Sequence, residues 1–270
     1  MKFTKGLLIA AISATVGLAS TGASAAFNDF DVQEGVIGAD TADNLFTADK
    51  ITGNYVEIVT FNLDGSFDVS IKWEAGQFVG NDGQDPVTTQ LGSFGDEGYA
   101  LYALFTSGGI FIPDGNGGAQ FIFDAVGGLS LYSDEDQDTT FNTPANGSTA
   151  WTTNNSADDD LIGTGDVLSG GGVLDPTLST CGPGINCGSF GTTTSFALTA
   201  FGETYFVDPD PFYDVAFESG QLNIFELSGT QEINGSLDVV FESQIPEPTT
   251  LALMGLGMAG LGIMRRRKKA

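Results

Sequence analysis

Carboxylates dominate the chemistry this chain could perform. Asp134, Asp136 and Asp138 stand at alternate positions, the spacing at which hard oxygen ligands can meet one calcium ion. The run is not an EF-hand, because Thr139 sits where that loop needs Gly and Ala145 where it needs Glu. A solvated acidic loop is the alternative reading. Asp158-Asp159-Asp160 is weaker, since consecutive carboxylates rarely face one ion. No histidine occurs anywhere. That removes Ser-His-Asp and Cys-His nucleophiles, zinc hydrolase sites and most proton shuttling near neutral pH. A pair of carboxylates could still hydrolyse a glycan. In so acidic a chain, however, close pairs are guaranteed and carry no information, so no catalytic residue is assigned and a non-enzymatic body is expected. Cys181 and Cys187 bracket five residues. In an exported chain they read as one local disulfide, the rival being a redox or metal pair. Trp151, set among threonines, is a candidate platform for stacking on a sugar ring or an anchor for its own loop.

The elements that must position these groups read as strands. Phe67, Val69, Ile71 and Trp73 alternate with Ser66, Asp68, Ser70, Lys72 and Glu74, which puts Trp73 in a core. Leu237, Val239 and Phe241 do the same, and Phe121/Phe123, Leu129/Leu131 and Tyr213/Val215/Phe217 repeat the pattern briefly. Asp64-Gly65 and Asn234-Gly235 read as hairpin turns. With no sustained helical period, residues 26–245 are expected to form one all-β domain, an antiparallel β-sandwich or jelly roll with Greek-key connections. Residues 133–194 are expected to be a long polar loop excursion carrying the acidic runs and the disulfide. Aromatic residues at 11% and 21 Phe are enough to bury a real core. Between residues 26 and 245 only Lys50 and Lys72 oppose 34 Asp and Glu, a formal charge of about −32 that repels nucleic acid and anionic lipid, making both poor partners (no nucleic-acid partner is expected), and attracts cations.

The two ends carry addresses. Lys2 and Lys5, the apolar run Gly6–Ala19 and the small-residue stretch ending Ala23-Ser24-Ala25 form a secretory signal peptide, residues 1–25, with cleavage at Ala25. Export through the Sec machinery follows. At the other end, Pro246-Glu247-Pro248 precedes an apolar glycine-rich run, Leu251 to Met264, and the basic stop Arg265, Arg266, Arg267, Lys268 and Lys269. Fourteen helical residues rise roughly 21 Å against a hydrocarbon core of ~30 Å, so this is a marginal membrane span with a cytoplasmic basic end.

In order and position, residues 246–270 resemble the PEP-CTERM sorting signal. The resemblance implies a Gram-negative-type envelope or extracellular protein, held transiently in the inner membrane and recognised by an exosortase, a membrane-embedded cysteine peptidase-like enzyme of bacteria that make exopolysaccharide. The body is similar to the flocculation-associated subgroup of these proteins at Gly53-Asn54-Tyr55-Val56-Glu57, Trp73-Glu74-Ala75-Gly76-Gln77-Phe78-Val79, Leu174-Asp175-Pro176-Thr177-Leu178-Ser179-Thr180-Cys181 and Gly235-Ser236-Leu237-Asp238-Val239-Val240-Phe241. That likeness implies a role in floc or biofilm formation with exopolysaccharide as partner. A glycan-active hydrolase and a passive matrix filler are the competing readings.

Overall fold

The computed structural model describes residues 27–37, 44–93, 98–184, 186–219 and 222–242. The expected signal cleavage at Ala25, the Pro246-Glu247-Pro248 motif and the basic stop lie outside them. The strands are Phe30–Gln33 (β1), Leu45–Ala48 (β2), Lys50–Phe61 (β3), Ser66–Gly80 (β4), Asp85–Pro86 (β5), Ala100–Pro113 (β6), Ala119–Phe123 (β7) and Gly128–Asp134 (β8). After them come Thr140–Asn142 (β9), Thr152–Asn154 (β10), Asp160–Leu174 (β11), Gly188–Thr194 (β12), Ala197–Leu198 (β13), Phe206–Asp208 (β14), Asp214–Ser219 (β15) and Gly229–Glu242 (β16).

The all-β, antiparallel class is as the alternation predicts, and the sheet closes on itself. β3 pairs with β4 and β4 with β6; β7 and β8 then lie end to end along β6. β11 pairs with both of those and with β12 and β13, and β12, β15 and β16 lead back to β3. Each stave thus lies beside its neighbour in sequence. Those meander connections stand in place of the expected Greek-key connections, as sequential strands lying side by side is the commoner arrangement. Opposite walls touch: the rings of Phe105 on β6 and Phe217 on β15 lie 5.8 Å apart. The interior is therefore filled by side chains, as between the two sheets of a sandwich.

Inward residues follow the period of two. Phe67, Val69, Ile71 and Trp73 of β4 are all buried, as are Leu237, Val239 and Phe241 of β16. The Trp73 indole crosses β3 and donates its Nε1 hydrogen to the Leu237 carbonyl at 2.9 Å. It can do so because residue 53 is glycine: a Cβ there would stand 2.4 Å from that nitrogen and 2.4 Å from the Glu74 carbonyl oxygen. One end of the barrel is plugged by the small sheet β14-β1-β2. Phe30 brings its ring to 4.6 Å from Phe241 and 5.7 Å from Phe206, sealing that end with aromatic edges and faces. Beside the plug, Glu34 is fully buried but satisfied, accepting from Tyr99 Oη, the Gln90 N–H and Asn44 Nδ2.

Two expectations need correction. The polar excursion spans residues 135–159, not 133–194, because β11 and β12 are full staves of the barrel. Polar and glycine-rich, β11 hides its strand character. The room a side chain would take at Gly163 is occupied by the Phe196 ring, whose Cζ would lie 2.6 Å from a Cβ there. Asn234-Gly235, read as a turn, lies inside β16 opposite Val56 and Tyr55 of β3. Asp64-Gly65 does form the β3–β4 turn.

Gly53→Ala is expected to destabilise the protein by about 2–4 kcal/mol, since either the indole or the β4 backbone must move. Urea unfolding of the two proteins measures it, and a change below about 0.5 kcal/mol contradicts the close approach.

Candidate functional sites

The excursion lies across the outer wall of β4 and β6. Its anchor is Trp151, only 6% exposed, whose Nε1 donates to the Ser70 carbonyl at 3.2 Å. The Gly147 N–H donates to Thr60 Oγ1 at 2.9 Å, and Phe141 packs edge-on against Tyr102 at 5.1 Å. Lys72 ion-pairs with Glu74 and holds its ammonium 4.5 Å from the Phe141 ring centroid and 6.0 Å from that of Trp151. Trp151 thus serves as the loop anchor. Its buried indole face is not open to stack on a sugar, which corrects the glycan-platform reading.

The acidic residues stand where β8 enters the excursion. Asp134 closes β8, is 3% exposed, and accepts from the Asp138 N–H at 3.3 Å and the Thr139 N–H at 3.1 Å. Those bonds curl the chain so that one carboxylate oxygen each of Asp134, Asp136 and Asp138 lies within 4.8 Å of the others. The second acidic run returns to the same place. Asp159 accepts from Tyr102 Oη at 2.6 Å and from Thr139 Oγ1 at 2.8 Å. Loss of hydration raises the Asp138 carboxyl above its ordinary value, and the negative charges of Asp136, Asp158, Asp134 and Asp159 add to the effect. The spacing of the first run was readable in sequence; the arrival of Asp158 and Asp159 beside it was not, because it is set by β8–β11 pairing. Five carboxylates without a paired base among the described residues form a place where a divalent cation would relieve repulsion, with oxygen ligands of the type calcium takes.

Cys181 and Cys187 are joined in a disulfide within the β11–β12 connection, and both are buried. The Cys187 N–H donates to the Leu222 carbonyl at 2.6 Å, tying the bridge to the segment that leads into β16.

One further acidic position is not apparent from motif spacing. Glu57 points inward from β3, in phase with Tyr55, Val59 and Phe61, and is 8% exposed. Burial alone pushes its carboxyl up to about 8. The clue in sequence is a single acid at an apolar phase of an otherwise alternating strand.

Residues 244–268 match the PEP-CTERM protein-sorting motif. This supports a protein that is exported, passes through the membrane and is processed by an exosortase. No curated protein and no solved structure matches the chain. Among the described residues no helix is long and apolar enough to cross a membrane.

The burial of Glu57 has a pH signature. Between the ordinary carboxylate value and about 8, the folded chain keeps a proton that the unfolded chain has released, so stability falls as pH rises through that window. Glu57→Gln is expected to match the native protein near pH 4 and to exceed it by a few kcal/mol at pH 9, since each tenfold change in proton affinity is worth roughly 1.4 kcal/mol. Urea unfolding at the two pH values checks this; equal stability at both contradicts it.

Proposed function

We propose that this protein works outside the cell without catalysis, associating with extracellular polysaccharide and helping to hold cells together in flocs or biofilm. The sorting motif at residues 244–268 is the observation that carries the reading. Three features of the body support it. The absence of histidine removes the common hydrolytic machinery. The acidic surface favours solubility and cation-mediated contact over binding to nucleic acid or anionic lipid. Among the described residues the closed barrel offers no long unpaired wall strand, which suits a protein that must persist at high local concentration.

Calcium is the natural intermediary. Asp134, Asp136 and Asp138, with Asp158 and Asp159 beside them, would supply part of a coordination shell and leave positions for acidic groups of a polysaccharide. Calcium in the millimolar range is expected to raise the thermal midpoint by a few degrees, as ligand linkage requires, and Asp136→Asn with Asp138→Asn should abolish the rise. An unchanged midpoint in native protein contradicts the site.

Deletion of the gene is expected to leave cells dispersed, and mixing the purified protein with the host's exopolysaccharide should give binding without new reducing ends. Cells that still clump sink the floc role, release of sugars favours the hydrolase reading, and absence of binding favours passive filler. Replacing Pro246-Glu247-Pro248 with alanines should retain the protein in the membrane fraction; unchanged release counts against exosortase handling.

A further inference from the structure

The end of the barrel opposite the plug contains a cavity of about 30 Å³. Its wall is aromatic, built from Phe61, Phe67, Phe121, Phe123 and Phe190 with Glu57 as the one ionisable group. Opposite Glu57 in the two adjoining staves stand Ile71 and Ile233, which bring neither charge nor hydrogen bond. Among the described residues no group donates a hydrogen bond to its carboxyl; the titratable group coupled to it is the Tyr55 phenol, two residues back on the same face. A buried, unpartnered acid costs several kcal/mol, and leucine would fill the same place without that cost. Glu57 therefore opposes stability, which points to a partner that arrives from outside.

The cavity has a neighbour on the surface. Phe225 caps the cavity, its ring stacked on Phe61 at 5.7 Å and 11°. Beside it lies a groove of about 540 Å³ bounded by Asn116, Gly117, Pro176, Ile224, Leu227 and one acidic group, Glu226. Phe225 lines both spaces.

Three properties select the guest. The faces of the phenylalanine rings carry negative charge density and attract cations. Glu57 adds a full negative charge once ionised, and the acidic body repels anions. The cavity admits a group the size of a water molecule or a methyl, not a ring. We propose that this end of the barrel binds a small organic cation, an ammonium head carried on a narrow apolar stem, with the head against Glu57 and the stem running past Phe225 into the groove. On binding, Glu57 gives its proton to solvent and the ammonium keeps its own, so affinity climbs with pH toward about 8 and levels off above it.

The test is a calorimetric titration of the full-length protein with hexylammonium and, as the uncharged counterpart, 1-hexanol. Hexylammonium is expected to bind at least about tenfold more tightly than hexanol at pH 8.5, and at least roughly fiftyfold more tightly at pH 8.5 than at pH 6, since only about one Glu57 in a hundred is ionised at pH 6. Glu57→Gln should remove both differences while leaving hexanol binding unchanged, and its urea midpoint shows that it is folded. Phe225→Leu, which shortens the cap without charge, should retain the preference for the cation and speed its association. No binding of hexylammonium by native protein up to about 10 mM, or equal binding by Glu57→Gln, overturns the proposal. So does equal affinity for hexanol at pH 8.5.

Discussion

The pairing of β3 with β16 is the constraint on which this molecule depends. Twelve residue pairs run from Gly229 opposite Phe61 to Val240 opposite Lys50, joining the first wall strand to the last. Each backbone hydrogen bond contributes only about 1 kcal/mol net, but here the bonds also turn an open sheet into a ring. Without them β3 and β16 would each present a long edge to solvent. The interior follows from the same closure. Trp73 reaches across β3 to a carbonyl of β16, and the cavity beside Glu57 takes wall residues from β3, β4, β7, β12 and β16.

Much of the wall was legible in the sequence where side chains alone create the pattern. β4 and the last third of β16 alternate cleanly, and both were readable as strands with the correct face inward. β11 was not, since its interior volume is supplied by Phe196 and other side chains of neighbouring strands, and a glycine opposite a borrowed ring has no hydrophobic signal of its own. Asn234-Gly235 carries turn chemistry, yet twelve pairs with β3 outweigh the local preference of two residues. The sites divide along the same line. The i, i+2, i+4 spacing from Asp134 is a local property and could be read directly. Its meeting with Asp158 and Asp159, the burial of Trp151 and the inward aim of Glu57 all depend on strands distant in the chain.

The scarcity of basic residues in the body gives each lysine a structural post. Lys50 pairs with Asp238 at 3.1 Å across the closing seam and lies 5.4 Å from the Phe27 ring centroid. Lys72 sits under the excursion against two aromatic rings. Neither neutralises the acidic cluster at the mouth of the excursion, so the negative charge there stays available to mobile cations. The barrel thus separates two kinds of acid, one in solvent and crowded, the other enclosed by rings.

The position of the closing stave sets the order of events during export. β16 ends at Glu242, and only Ser243, Gln244 and Ile245 precede Pro246. Three residues at full stretch reach no more than about 10 Å. An exported chain that emerges N-terminus first therefore completes its barrel only when its last strand is out, just ahead of the sorting motif at residues 244–268. Until then β3 waits with an open edge, exposed to other emerging copies. Once the seam is made, no more than about a nanometre of chain separates the closed barrel from Pro246. Processing at the sorting motif then acts on a body whose strands are already closed to their neighbours.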